Sequence, residues 1–514
     1  GFCQSFVWQT VCEFLQKEGY IPRGTSEAQY SAYIGKILSD RGWATNPVAK
    51  TAMFYLMAKA KSLVKKEWLW RPIAATPKPF ICPRLMRTAS RALTCFIRTI
   101  LEELPAPILR LSVNDLGGWV HDIPWARALG EADCKEQFNK IPPQGIMQCM
   151  EEASEWLTRK RRWRAGDLVW SIHRECSKMD RAGKAASQSF RFISHQQLMD
   201  IVRFDLTEQN AVFAVGRMWS RTGCIPMGGP FSAQAADLHS VWRLKQAVRC
   251  LRRLGDLDLS DSGMPVWAVR APGGEVVRVT LAQFRDNVLV ASSSREQGKL
   301  IMSKVCGALS AAWKLPVLCE CGDTCTGACM LSSIIAVGVC VTLPPTESTP
   351  LVHLHPSSLD KSWSLKGYPS LHSPELCEKR YLGVLFTGVM LSNGNLVRSW
   401  AGLLLSATVW MQVATWGGFR ASVVIKHMQG AVRRACARTS HNHVPSERWV
   451  RFIAHKLPLH RNEVLVLLHG WLKANAYWGG GGYTSWHVPH PSDTPHSSQC
   501  GSWCHDADGL LYSG

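Results

Sequence analysis

The stretch that decides the fold reads Glu275-Val-Val-Arg-Val-Thr-Leu-Ala-Gln-Phe284-Arg285-Asp286-Asn287-Val-Leu-Val-Ala-Ser292. β-Branched and apolar residues dominate both of its ends, which suits strands. Asp286 and Asn287 interrupt the run near its middle. Their short polar side chains bond to nearby backbone and favour turns. The run therefore splits into a β-hairpin with its tip at residues 285–287, and Asp286 becomes a carboxylate held at a sheet edge.

Two stretches upstream share this character. Glu131-Ala-Asp133-Cys-Lys-Glu-Gln-Phe138 reads as a short strand that carries an acid and an aromatic. Ile225-Pro-Met-Gly228-Gly229-Pro-Phe-Ser232 reads as a Gly/Pro loop. It opens a helix with Leu238, Val241, Leu244, Val248 and Leu251 inward and Arg243, Lys245, Arg249 and Arg253 outward. A strand-borne Asp133 and a hairpin-tip Asp286, remote in the chain, can meet at one sheet edge. Two such carboxylates suit a pair of Mg²⁺ ions, hard cations that take one or two carboxylates plus substrate phosphates. The glycines let backbone approach a nucleotide closely.

Composition narrows the partner. The chain has 514 residues, 46% hydrophobic and 19% charged, which excludes a wholly disordered or collagen-like protein. Its formal net charge of +20 points to a polyanion, nucleic acid ahead of an anionic membrane. The 19 cysteines are odd in number and scattered, unlike a small secreted disulfide scaffold, so a reducing intracellular compartment is expected. The first residue is Gly1 rather than Met, so targeting is not readable from this end. The uncharged run from Ser399 to Phe419 contains Ser, Thr, Gln and Gly and reads as a buried helix ahead of a membrane span.

Elsewhere the periodicity is mostly helical. Residues 1–69 read as a helical extension, with Phe6, Val7, Val11, Phe14 and Leu15 at helical spacing, and again Ala52, Tyr55, Leu56, Ala60 and Leu63. A basic helix is expected from Leu85 to Leu104, and another with Ile146, Met150, Ala153 and Leu157 on one face. The latter closes on the run Arg159-Lys-Arg-Arg-Trp163-Arg164, which suits a solvated face as well as a docking site. Six prolines mark 344–374 as linker or loop. Cys319, Cys321, Cys325 and Cys329 lack the spacing of a zinc ribbon or finger and read as free thiols ahead of zinc ligands. The same holds for His496, Cys500, Cys504 and His505 in a Gly/His-rich tail that reads as disordered.

At these residues the chain resembles the reverse transcriptase family. Asp133 followed by Phe138 resembles the family's first palm motif. Ile225–Ala236 resembles its loop and helix, with Phe213–Arg221 similar to the strand before them, and Phe284-Arg-Asp286-Asn287 its aromatic-x-Asp-Asp hairpin. Arg71-Pro72-Ile73 resembles the fingers motif. The likeness covers about residues 68–310, in family order, and is similar to the eukaryotic retroelement type, Penelope-like or another non-LTR group.

The resemblance implies an α+β right-hand polymerase fold with fingers, an antiparallel-sheet palm and a helical thumb. The divisions would be fingers at 70–132, palm at 133–330 with an insertion around 158–195, a Pro-rich linker at 331–379, a thumb-like region at 380–470 and the tail at 471–514. It implies an RNA-directed DNA polymerase that extends a DNA primer on an RNA template with dNTPs. Asp133 and Asp286 would ligate two Mg²⁺ ions, with Asn287 beside them. Phe138 would be the steric gate against ribonucleotides, which speaks against an RNA-templated RNA polymerase. Arg71 and Lys78 would hold the triphosphate, Gly228, Gly229 and Ser232 would shape the nucleotide pocket, and Lys314 would protonate pyrophosphate. The nucleus is expected ahead of the cytoplasm. One departure matters: the hairpin carries Asp286-Asn287 where the family usually has two aspartates, one negative charge fewer. A catalytically inactive RNA-binding scaffold of the same fold is therefore the alternative.

Overall fold

The structure is a computed structural model. It describes residues 3–58, 70–75, 79–111, 113–135, 137–163, 168–173, 179–181, 189–221, 223, 225–247, 250–251, 254–260, 263–320, 329–336, 339–343, 351–354, 411 and 420–438. In chain order the elements are α1 (Gln4–Lys17), β1 (Ile21–Pro22), α2 (Glu27–Asp40), β2 (Ala52–Ala58), β3 (Trp70–Ala75), α3 (Pro83–Glu103), α4 (Val113–His121), β4 (Ala128–Cys134), α5 (Gln137–Lys140) and α6 (Pro143–Lys160). Then come β5 (Val169–His173), β6 (Met179–Arg181), β7 (Phe190–Ser194), α7 (His195–Arg203), a π-turn (Phe204–Glu208), β8 (Ala211–Ala214), β9 (Arg217–Ser220) and α8 (Ser232–Gln246). The rest are β10 (Asp256–Leu259), β11 (Pro265–Arg270), β12 (Val276–Phe284), β13 (Asn287–Ser292), α9 (Gly298–Trp313), β14 (Val317–Cys319), β15 (Ser333–Ala336), β16 (Val339–Thr342), β17 (Leu351–Leu354) and α10 (Ala421–Arg438). The class is α+β, as the resemblance implies.

The chain divides into two compact units: residues 1–111, 133–257 and 303–318 form one, and residues 112–132, 258–302 and 319–514 form the other. In the first unit a five-stranded sheet runs β1-β9-β8-β2-β3. Val11 and Leu15 of α1 pack with Phe54, Val212 and Trp219 from its strands. Local signals set the helices around it. Ser26 and Gln29 form a reciprocal capping box at the start of α2, whose Tyr30, Ile34 and Leu38 are buried at helical spacing. Pro83 and Pro143 begin α3 and α6, where a missing N–H is harmless. Ile146, Met150, Ala153 and Leu157 of α6 are buried as their spacing predicts. A three-stranded sheet, β6-β5-β7, lies between α6 and α7 in sequence.

In the second unit, β12 and β13 pair from Val279↔Ser292 to Phe284↔Asn287. The expected hairpin is present, in a six-stranded sheet of order β10-β11-β12-β13-β4-β14. Leu116, Trp119 and Ile123 pack against Ala282, Leu289 and Ala291. Trp119 Nε1 also donates to Thr280 Oγ1 at 3.4 Å.

Three local expectations need correcting. Residues 52–58 are strand β2, not helix: all seven are apolar or Tyr, so either period fits them, and pairing with β3 and β8 decides the outcome. Phe138 lies on the one-turn helix α5, not on the strand with Asp133. Strand β17 falls inside 344–374, where the prolines favour a loop; it is a Pro-free stretch paired with β16. Lys78, Ala60, Leu63, Cys321, Cys325, His496, Cys500, Cys504 and His505 lie outside the described residues, as do the tail and all of residues 399–419 except Met411, which is buried. No helix among the described residues is long and apolar enough to cross a membrane.

Candidate active site

In the first unit the backbone joins three of the expected site segments. Ala74 N–H donates to the Met227 carbonyl at 2.7 Å, tying β3, which carries Arg71 and Ile73, to the Gly-rich loop. Ile225 N–H donates to the Phe138 carbonyl at 3.1 Å, tying the same loop to α5. The contact at Gly228 is close. Its φ is +103°, and a Cβ there would sit 3.2 Å from Ile73 Cγ2 and 3.3 Å from the Ala74 carbonyl oxygen. Only a residue without a side chain meets both demands. Gly229 is similarly tight, since a Cβ would lie 2.7 Å from Ser232 Oγ. The buried Ser232 hydroxyl donates to the Pro226 carbonyl and closes the turn at the start of α8.

Phe138 is half-buried. Its neighbour Gln137 is buried, and Gln137 Nε2 donates to Ser240 Oγ at 2.8 Å, which anchors α5 on α8. Asp133 is the penultimate residue of β4, on the half-exposed face that it shares with Glu131, while Ala132 and Cys134 are buried. The Lys135 ammonium lies 2.7 Å from Asp133 Oδ2. Lys314 is exposed just beyond α9, where its φ of 56° ends the helix.

In the second unit the hairpin turns through Arg285 and Asp286. Arg285 has φ 60°, uncommon for a residue with a side chain. Gln283 Nε2 holds this turn by donating to the Arg285 carbonyl at 2.8 Å. Asp286 and Asn287 are half-buried. Asn287 Nδ2 donates to Glu131 Oε1 at 3.2 Å.

Glu131 and Lys135 are the two side chains that sequence reasoning left without a role. The available signal was their spacing: each lies two residues from Asp133, and alternation puts Glu131 on the same strand face. The donors fit Mg²⁺ in kind. They are carboxylate oxygens, partly exposed, and Asp133 already accepts a cation, the Lys135 ammonium. Among the described residues no three His, Cys, Asp or Glu side chains gather as a metal site. Asp133 and Asp286 fall in different units.

No known protein-family profile matches the chain, and no curated protein sequence does. Among solved structures, telomerase from Candida albicans with a fragment of telomeric RNA is similar over 86% of this chain and 70% of its own, at 11% identity and TM-score 0.44. Apo telomerase from Candida tropicalis matches over 88% and 75%, at 9% identity and TM-score 0.42. An RNA polymerase complex inside a double-stranded RNA virus matches over 78% and 30%, at 12% identity and TM-score 0.34.

Proposed function

We propose that this chain is an RNA-directed DNA polymerase of a retroelement, which extends a primer 3′-hydroxyl with dNTPs on an RNA template. One observation carries the reading. Segments remote in sequence, β3 with Arg71, α5 with Phe138, and the loop with Gly228 and Gly229, are joined by backbone hydrogen bonds in the unit that also holds Asp133.

Each residue then has a task. Arg71, a planar fork of donors, binds the triphosphate, and Lys78 assists it. The Phe138 ring presses on the sugar 2′ position and excludes a hydroxyl. Gly228 and Gly229 keep the loop flat enough for base and sugar to approach. Asp133 and Asp286 would be the ligands of two Mg²⁺ ions, a group whose chemistry would be to offset negative charge on the reacting oxygens. Lys314 delivers a proton to that pyrophosphate. This reading places the protein in a reducing compartment, the nucleus ahead of the cytoplasm.

Asn287 favours a second reading, an inactive scaffold of the same fold that binds RNA, because it removes one carboxylate from the hairpin. Primer extension on an RNA template with Mg²⁺ separates the two. The polymerase reading expects product, and loss of at least about a hundredfold in Asp133→Ala and in Asp286→Ala, since metal binding supplies several kcal/mol of transition-state stabilisation. Retained RNA binding with no incorporation by the parent chain would support the scaffold. Unchanged product in either variant would remove that residue from the site.

A further inference from the structure

The Glu131–Asn287 hydrogen bond joins residues far apart in the chain, on β4 and at the start of β13, both in the second unit. Both side chains are half-buried, where charge is screened less than in open water. The backbone also fixes Glu131: its carbonyl accepts from Glu320 N–H at 2.9 Å. Its carboxylate is thus presented to the hairpin from a paired strand rather than from a loop.

We propose that Glu131 is a positioning residue for the hairpin tip and that it demands a neutral amide at position 287. The reasoning is geometric. A carboxylate only accepts hydrogen bonds, whereas the Asn amide has a donor side and an acceptor side. Donation from Nδ2 to Glu131 points that side at β4 and turns Oδ1 the other way. The amide is thereby held in one of its two orientations, next to Asp286. An Asp at 287 would instead set two hydrogen-bond acceptors 3.2 Å apart, which repel unless a proton is taken up to join them. The missing negative charge of the hairpin is then no decay. Glu131 already supplies a carboxylate here, and Asn287 is the residue that can sit beside it.

The consequence for catalysis rests on the polymerase reading, but the pairing itself does not. The test uses the full chain with Glu131→Gln, Asn287→Asp and the double variant. Thermal unfolding in EDTA reads the pair without metal or substrate. Asn287→Asp is expected to lower the midpoint by about 2–4 °C. Adding Glu131→Gln should recover most of that loss, because the Gln amide can donate to the new carboxylate. In primer extension, Asn287→Asp should lose about tenfold or more in kcat with little change in KM for dNTP, and the double variant should regain most of it. A double variant no more stable than Asn287→Asp, or a fully stable Asn287→Asp, overturns the proposal. A parent chain that incorporates no nucleotide defeats the polymerase reading instead, and the unfolding cycle still decides the pairing.

Discussion

Phe138 stands five residues beyond Asp133, yet its surroundings come from the fold. The one-turn helix α5 lifts it off the strand, Gln137 pins that helix to Ser240, and the loop at Ile225 bonds its carbonyl. A ring carried on backbone anchored at both neighbouring points can discriminate by shape. Phe138→Ala is expected to relax the preference for deoxyribonucleotides by roughly tenfold to a hundredfold, the range that a few atoms of pocket shape can supply. Competition between dNTP and NTP in single-nucleotide extension measures this. Unchanged sugar selectivity would remove Phe138 as the gate. The aromatic and its distance from the acid were readable from the chain. Its position on a helix was not, because four residues are too few to show a period.

The three-stranded sheet β6-β5-β7 and helix α7 show how packed elements control a titrating group. His195, the first residue of α7, is buried, with its ring centroid 4.7 Å from that of Phe96 and its Nδ1 accepting from Trp170 Nε1 at 3.4 Å. Burial disfavours the charged imidazolium and pushes its pKa down to about 4. The sign follows. Between pH 6.5 and 4 the unfolded chain binds a proton that the folded chain refuses, so this stability is complete above 6.5 and falls as the pH drops toward 4. His239, buried in α8, acts in the same direction. Asp205 in the π-turn acts oppositely: burial raises it to about 7, so its carboxyl penalises folding as the pH climbs from 3.8 toward 7. Replacing His195 by Asn keeps an acceptor for Trp170 and removes the titration. Denaturant unfolding of the parent at pH 7 and pH 4.5 should show a loss that His195→Asn reduces by on the order of 2 kcal/mol. An equal loss in the variant would show that His195 is not the acid-sensitive group.

The net charge of +20 belongs to the chain as a polymer. Part of it is already paired within the fold. Lys160 and Arg161 contact Glu103 on α3, and Lys245 lies over the rings of Trp156 and Trp242. Within the run at 159–164, Lys160 and Arg161 are thus engaged by acids of α3. RNA binding should still weaken steeply with salt, because each phosphate neutralised releases counterions. Binding isotherms between 50 and 200 mM salt are expected to lose about tenfold or more in affinity, in the parent and equally in Asp286→Ala. A salt-independent affinity would argue against a phosphate-tracking surface.

Local chemistry was legible along the chain. The Asx pair that breaks 275–292 into a hairpin and the buried face of α6 follow from forces that act within a few residues. Pairing across distance was not. β2 is apolar but for the hydroxyl of Tyr55 and takes its strand form from β3 and β8, so its own pattern is silent. The Glu131–Asn287 bond spans 156 residues, and nothing in either neighbourhood names the other. Side-chain periodicity encodes which face turns inward, whereas register and the meeting of remote polar atoms depend on how the strands align once the chain is folded.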